Sequence, residues 1–341
     1  MKRFVVFPNL TVSTAQRPNP YIQDYIEALN RLPDVRVINP AHKNPLLSLL
    51  PPSRWGDVFI FNWFESIPDF KYGPLQAVTA TAFLLFQRLR GKKIVWMLHN
   101  KKPHAQGHDG MKTFLARLIA KNSSLIITHS EEGVRLVRND FPYAARKVHY
   151  IDHPTKCRLQ LATAASTAKK KYDLLIWGTI ARYKGIFEFT DYIRTNKIDH
   201  LRICIVGGAS ETVFNDLQAI CPENITLINQ RPSFDELADY INQSEFVLCP
   251  YAPETILSSG MLMDSLSFGA KVIGPEVGSF KDYASNSLLN VYTFNSFDDI
   301  AGIVQLHKHD EVSLANYRHF LEENDWTHYA HKLAKLLGIC E

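Results

Sequence analysis

Short apolar runs alternate along this chain with longer stretches in which apolar residues recur every three or four positions. Residues 4–7, 35–38, 58–61, 94–98, 125–128 and 148–151 are rich in Val, Ile and Phe, the length and composition of buried strands. Between them, residues 21–32 (YIQDYIEALNRL), 73–89, 111–120 and 131–139 carry helical spacing. The rhythm then restarts, with strands expected at 174–177, 203–206, 225–228, 247–250 and 272–273 and helices between them. From 310 to 337 the pattern is helical, interrupted near Asn324 and Asp325, with aromatics at Tyr317, Phe320, Trp326 and Tyr329.

Strand and helix in alternation predict parallel, doubly wound sheets, and 341 residues suffice for two of them. The expected fold is α/β, with two Rossmann-like doubly wound domains and a C-terminal helical tail. Residues 1–160 and 172–310 form the two domains, with the cleft between them. The small, polar, basic stretch 159–171 (LQLATAASTAKKK) reads as a linker, and 311–341 as helices packing back across the domains.

Composition narrows the class. Apolar residues make up 46% and charged residues 21% of the chain, which is ordinary for a soluble globular protein. Five scattered cysteines with no C-x-x-C argue for reduced thiols, against a zinc site or disulfide framework. Met1-Lys2-Arg3 leads straight into an apparent strand with no long apolar leader, and no uncharged apolar run reaches membrane-spanning length. A cytoplasmic location is therefore expected, at the inner face of a membrane if the charge pattern has a use. Residues 1–155 hold 21 Lys and Arg against 11 Asp and Glu, and the remainder 17 against 23. Such a split suits peripheral contact with an anionic membrane through 83–93 (FLLFQRLRGKK) and 112–121 (KTFLARLIAK). The competing reading is ordinary surface charge, with 83–86 as the core face of a buried helix. No nucleic-acid-reading module accompanies the basic excess.

The chemistry concentrates in residues 246–283. After an apolar strand, Ser258-Ser259-Gly260 opens a helix that Gly269 stops. Serine is a good N-cap and glycine a good C-cap. A helix start at the carboxyl end of a strand points free N–H groups and a positive dipole outward, an arrangement suited to a diphosphate. A plain helix cap explains the same tripeptide. Earlier, WGTIARYKG (177–185) follows the first strand of the second half. Gly178 allows a tight turn there. Arg182 offers a planar fork and Lys184 a point charge to phosphate oxygens, although a solvated basic loop is equally consistent. Val206-Gly207-Gly208 gives room for a nucleotide or marks a turn.

Together these segments resemble a family. G-x-I-x-R-Y-K-G after a strand, V-G-G after the next, S-S-G at a helix start and S-F-G-x-x-V-I-G-P-x-x-G resemble the donor domain of GT-B glycosyltransferases, which move a sugar from a nucleoside diphosphate. In the first half, Trp96-Met97-Leu98-His99-Asn100 with Pro103-His104, and Thr128-His129-Ser130-Glu131, are similar to acceptor-domain motifs of bacterial exopolysaccharide and capsule transferases, mannosyl- and glucosyltransferases among them. The resemblance spans nearly the whole chain. It implies a GDP- or UDP-hexose donor and a lipid-linked or oligosaccharide acceptor in cell-surface polysaccharide synthesis.

The chain also departs from that pattern. The family's large retaining branch places two glutamates across the donor helix with seven residues between them; here those slots hold Ile256 and Asp264, with Glu254 two residues early. Thr179 stands where an arginine usually follows the loop glycine, and the glycine-rich first loop is replaced by residues 8–21 (PNLTVSTAQRPNPY). The resemblance thus assigns the diphosphate to Gly178, Arg182, Lys184, Ser258, Ser259 and Gly260, and ribose or sugar hydroxyls to Glu254 and Asp264. For the base that takes the acceptor proton, His99 and His104 lie past a strand's carboxyl end, where a doubly wound fold presents reactive groups; Glu65 and Asp109 are alternatives. With no D-x-D motif, no essential metal or other cofactor is expected. A nucleotide-sugar 2-epimerase on the same scaffold and a non-catalytic partner subunit remain alternative readings.

Overall fold

The structure, a computed structural model, describes all residues except 9–19, 40–45, 47–48, 51–54, 102–106, 164–169 and 340–341. In chain order the strands and helices of the first half are β1 Lys2–Phe7, α1 Pro20–Asn30, β2 Val35–Val37, β3 Val58–Asn62, α2 Gly73–Leu89, β4 Lys93–Leu98, α3 Asp109–Asn122, β5 Leu125–Thr128, α4 Glu131–Asp140 and β6 Val148–Tyr150. Then follow α5 Leu159–Thr163, β7 Tyr172–Trp177, α6 Ile186–Thr195, β8 Ile203–Val206, α7 Glu211–Gln218, β9 Ile225–Ile228, α8 Phe234–Asn242 and β10 Ser244–Leu248. The chain ends with α9 Gly260–Ser267, β11 Val272–Pro275, α10 Gly278–Ala284, β12 Val291–Phe294, α11 Asp298–His307, α12 Leu314–Glu323 and α13 Trp326–Leu336.

These elements form two compact units, Met1–Pro154 with Trp326–Glu341, and Thr155–Asp325. In the first, six parallel strands run in the order β2-β1-β3-β4-β5-β6. Their central strands are apolar on both sides because helices cover both sides. Phe59 points toward α2, where Phe83 meets it edge-on at 5.4 Å. Its neighbours Val58 and Ile60 share a core with α1 and α13, as alternating side chains must. The Tyr25 hydroxyl donates to Met97 Sδ at 3.8 Å, and Tyr329 donates to Tyr25 at 3.4 Å, so α1, β4 and α13 are joined by polar as well as apolar contacts.

The second unit has a parallel sheet of order β12-β11-β10-β7-β8-β9. Both sheets thus have the doubly wound topology that alternation predicts, and the tail is helical. Its two helices separate: α12 counts with the second unit and α13 with the first. In α12, the Tyr317 hydroxyl donates to the Ala270 carbonyl at 2.9 Å and accepts from Asn290 N–H at 3.0 Å.

Three expectations need correcting in detail. The strand placed at 247–250 is β10, which ends at Leu248, since Pro250 has no N–H for a ladder. The linker reading of 159–171 fails at its start, where α5 buries Leu159 and Ala162; the rest includes residues outside those described. Strand β12 and helix α10 lie where no element was singled out. Among the described residues, no helix is long and apolar enough to cross a membrane.

Candidate functional site

In each sheet the chain reverses its direction of winding once, between β1 and β3 and between β7 and β10. Neighbouring loops at such a point part company and leave a crevice at the strands' carboxyl ends. Of the residues singled out from the sequence, Gly178, Arg182 and Lys184 follow β7 and Glu254, Ser258, Ser259 and Gly260 follow β10, whereas His99 follows β4.

In the second unit, the loops after β7 and β10 interlock through glycine. Gly178 follows β7 at φ +94°, and Gly185 takes φ +71°, both open to glycine and strained for other residues. A side chain on Gly185 would overlap the Pro250 carbonyl, and one on Gly207 the Gly178 carbonyl. Of the paired glycines after β8, Gly207 is therefore required by the protein's own backbone, the Gly178 carbonyl, whereas Gly208 lies against the Arg231 side chain.

A 3-10 turn, Arg182–Lys184, lies between these glycines and divides the two cations. Arg182 is exposed, pairs with Asp216 at 2.7 Å and lies 4.3 Å above the Phe187 ring. Lys184 turns inward instead: a side-chain carbon on Gly178 would stand 3.3 Å from its Nζ. Burial pushes its ammonium down to about 8, with buried Cys249 pulling weakly the other way. Among the described residues Lys184 has neither a carboxylate nor a hydrogen-bonding partner. An uncompensated, desolvated cation is a standing invitation to an anion.

The loop after β10 leads to α9. Ser259 is its N-cap: the Oγ accepts from Leu262 N–H and donates to the Tyr251 hydroxyl, both at 3.3 Å. Ser258 precedes it, half-buried. Gly260 is exposed, and a side chain there would meet nothing within 4 Å. The fold itself therefore does not demand glycine at 260, in contrast to 185 and 207. Glu254 is exposed on the turn before this helix. Asp264 is half-buried, and its Oδ1 accepts from Arg158 Nη1 at 3.1 Å and Thr155 Oγ1 at 3.0 Å. Burial raises its carboxyl pKa, opposed by Arg158. Arg158 also reaches Ser267 Oγ at 2.9 Å and lies 3.9 Å above Phe234. Asp264 thus ties the Thr155–Arg158 segment to α9.

The first unit gathers a different chemistry. His99, one residue past β4, is buried; its Nε2 lies 2.9 Å from Asn62 Oδ1. Asn62 Nδ2 donates to the Phe7 carbonyl at 2.8 Å, which turns Oδ1 toward the imidazole. His99 must then donate from Nε2, leaving Nδ1 as a bare lone pair. The Trp63 ring stacks on it with centroids 4.7 Å apart. Burial, with His153 adding to it, pushes His99 down to about 3. His129 and His153 follow β5 and β6. His129 Nδ1 donates to the Ile151 carbonyl at 2.8 Å, so its Nε2 accepts from Tyr21 at 3.3 Å. His153 Nδ1 donates to the Pro154 carbonyl at 3.0 Å, and burial holds it at about 4.

His104 lies outside the described residues. Glu65 accepts from Trp96 Nε1 at 3.2 Å and is raised by burial to about 6; Asp109 is exposed at the start of α3. Sequence reasoning overlooked Asn62, Trp63 and His153. All three follow an apolar run at its carboxyl end, a signal that was present. The Tyr21 contact had no such signal, since it joins residues far apart in the chain.

No protein-family profile matches the sequence, and no curated protein matches it. Among solved structures, HepE of Anabaena in complex with UDP-glucose superposes with a TM-score of 0.67 at 11% identity over 100% of both chains. MnaA of S. aureus with UDP gives 0.55 at 12% identity, over 100% of this chain and 98% of that one. The catalytic domain of starch synthase IV from Arabidopsis thaliana, bound to ADP and acarbose, gives 0.53 at 12%, covering 85% and 74%.

Proposed function

We propose that this chain, GT-B by fold, is a glycosyltransferase that takes a hexose from a nucleoside-diphosphate sugar. The observation that carries the reading is Lys184, desolvated and, among the described residues, unpaired, on the loop after β7 at the switch point of the second sheet, where the loop after β10 leads to the open start of α9. A diphosphate supplies the missing negative charge and restores full protonation to the lysine. As the sugar–phosphate bond breaks, that charge grows, and a fixed cation with helix N–H groups stabilises it most at that moment. Gly260 leaves space for phosphate oxygens to approach the backbone. In this reading exposed Glu254 accepts from ribose or sugar hydroxyls, while Arg182 reaches the phosphates only by leaving Asp216.

Uracil is the base favoured for the donor, because HepE and MnaA were solved with UDP-glucose and UDP. The acceptor hydroxyl gives its proton to Nδ1 of His99, which is neutral across the physiological range. Trp63 beside it offers an apolar face of the kind sugar rings lie against. A lipid-linked or oligosaccharide acceptor in polysaccharide synthesis fits this arrangement.

Thermal shift with UDP, GDP and ADP, followed by donor turnover with the matching hexose nucleotides, tests the proposal. A ligand that binds only the folded state raises Tm. Absence of any shift with all three diphosphates would refute it.

A further inference from the structure

Helix α2 has two apolar faces. At 3.6 residues per turn, Ala77, Ala80, Phe83 and Leu84 share one side and are buried against the sheet. Leu75, Val78, Ala82, Leu85, Phe86 and Leu89 fall on the opposite side, within an arc of about 100°, and all six are exposed. Leu75 is 69%, Val78 66% and Leu89 87% accessible. A surface helix ordinarily turns charge away from its core. Here the outer stripe carries none, and a contiguous apolar surface of this kind marks a binding face.

The charges around the stripe are cationic. No Asp or Glu occurs in α2; Lys71 precedes it, Arg88 lies in its last turn, and Arg90 follows, its guanidinium 4.6 Å above Trp55 and 5.8 Å above Phe86. Lys147 Nζ donates to the Lys121 carbonyl at the end of α3 at 2.8 Å. Besides burial, the charge of Arg88 lowers its pKa, so the last turns of α2 and α3 share one basic corner. Exposed Phe114 of α3 adds a further apolar side chain. In contrast, Lys112 is buried in an ion pair with Asp69 at 2.7 Å, so only part of 112–121 faces outward.

We infer that α2 lies flat on an anionic bilayer, its stripe at the acyl boundary and Lys71, Arg88 and Arg90 among the headgroup phosphates. A second copy of the chain is a poorer occupant, because an isologous contact would set Lys71, Arg88 and Arg90 of one copy against those of the other. The inference rests on α2 and the neighbouring end of α3 and stands apart from the donor chemistry.

The test is co-sedimentation of the full chain with phosphatidylcholine vesicles of rising phosphatidylglycerol content, at low and high salt. Binding is expected to grow with phosphatidylglycerol and shrink with salt. Leu75→Ser, Val78→Ser and Leu89→Ser together should abolish it at an unchanged Tm, since all three are exposed. Lys71→Gln with Arg88→Gln should weaken it on the order of tenfold on anionic vesicles. Parent binding that ignores lipid charge and salt, or a triple variant that binds like the parent, would overturn the inference. So would a parent dimer, seen by light scattering, that the triple variant abolishes while the parent leaves vesicles untouched.

Discussion

The Lys184 ammonium sits against Gly178, 3.3 Å from where a side-chain carbon on that glycine would stand. A side chain on Gly178 would therefore act on the lysine. Gly178→Ala must both strain a backbone at φ +94° and push the ammonium aside. Lys184→Met keeps the packing but removes the charge. The methionine variant is expected to keep its Tm and lose ~1.5–3 kcal/mol of diphosphate binding, the worth of a charge-assisted contact. Isothermal titration with UDP measures it, and equal affinities would remove Lys184 from the site.

The pH dependence of that binding follows from the same residue. Burial lowers the free lysine to about 8, and a bound diphosphate raises it again. Above pH 8 binding must therefore draw a proton from solution, and UDP affinity should fall as pH rises from 8 toward 10. Lys184→Met should show no such slope.

Gly260→Val separates ligand space from folding. Nothing within 4 Å opposes a side chain there, so the melting curve should be nearly unaltered while UDP binding is lost. Gly207→Ala should do the reverse. Its side chain would overlap the Gly178 carbonyl, and the variant should lose about 1–3 kcal/mol of stability. If Gly260→Val binds UDP like the parent, Ser258-Ser259-Gly260 is simply a helix cap.

The two acidic candidates should also part. Asp264→Ala releases Arg158 from its carboxylate and is expected to lower Tm with little effect on UDP affinity. Glu254→Ala, at an exposed site, should leave Tm unchanged and weaken the sugar nucleotide more than UDP. A normal Tm with lost donor binding in Asp264→Ala would return that residue to the sugar.

The buried histidines predict acid sensitivity. His99 and His153 are held at about 3 and about 4 in the folded protein, whereas in the unfolded chain they titrate near 6.5. The unfolded state therefore binds more protons in between, and their contribution to stability is lost as pH falls below about 6.5, at up to ~1.4 kcal/mol per histidine per pH unit. Tm measured from pH 7 to 4 should fall less steeply in His153→Gln. His99→Gln should cost on the order of 10²–10⁴ in kcat, with unchanged UDP binding.

Strand and helix rhythm was legible because it is local. The helix expected at 73–89 is found as Gly73–Leu89, its first turn marked by Pro74 and its end by a basic turn. What periodicity could not say is which side of that helix faces the core, since both sides are apolar. Likewise the glycines were legible as glycines, but only the neighbouring backbone distinguishes Gly207, required by a carbonyl, from Gly260, required by nothing in the chain. The clamp of Arg158 on Asp264 joins residues 106 apart, and no local pattern encodes such a pair. His99 was visible from its place after a strand, whereas its tautomer depends on Asn62.

That dependence gives the histidine a direction. The Phe7 carbonyl on β1 orients the Asn62 amide, the amide dictates which ring nitrogen keeps its hydrogen, and the basic nitrogen is the one left over. Which ring nitrogen keeps its lone pair is thus set by a main-chain oxygen on another strand. Asn62→Asp would rewire it: a carboxylate prefers a charged imidazole, so the histidine would hold both protons and Nδ1 would no longer offer a lone pair, while Phe7 would lose its donor.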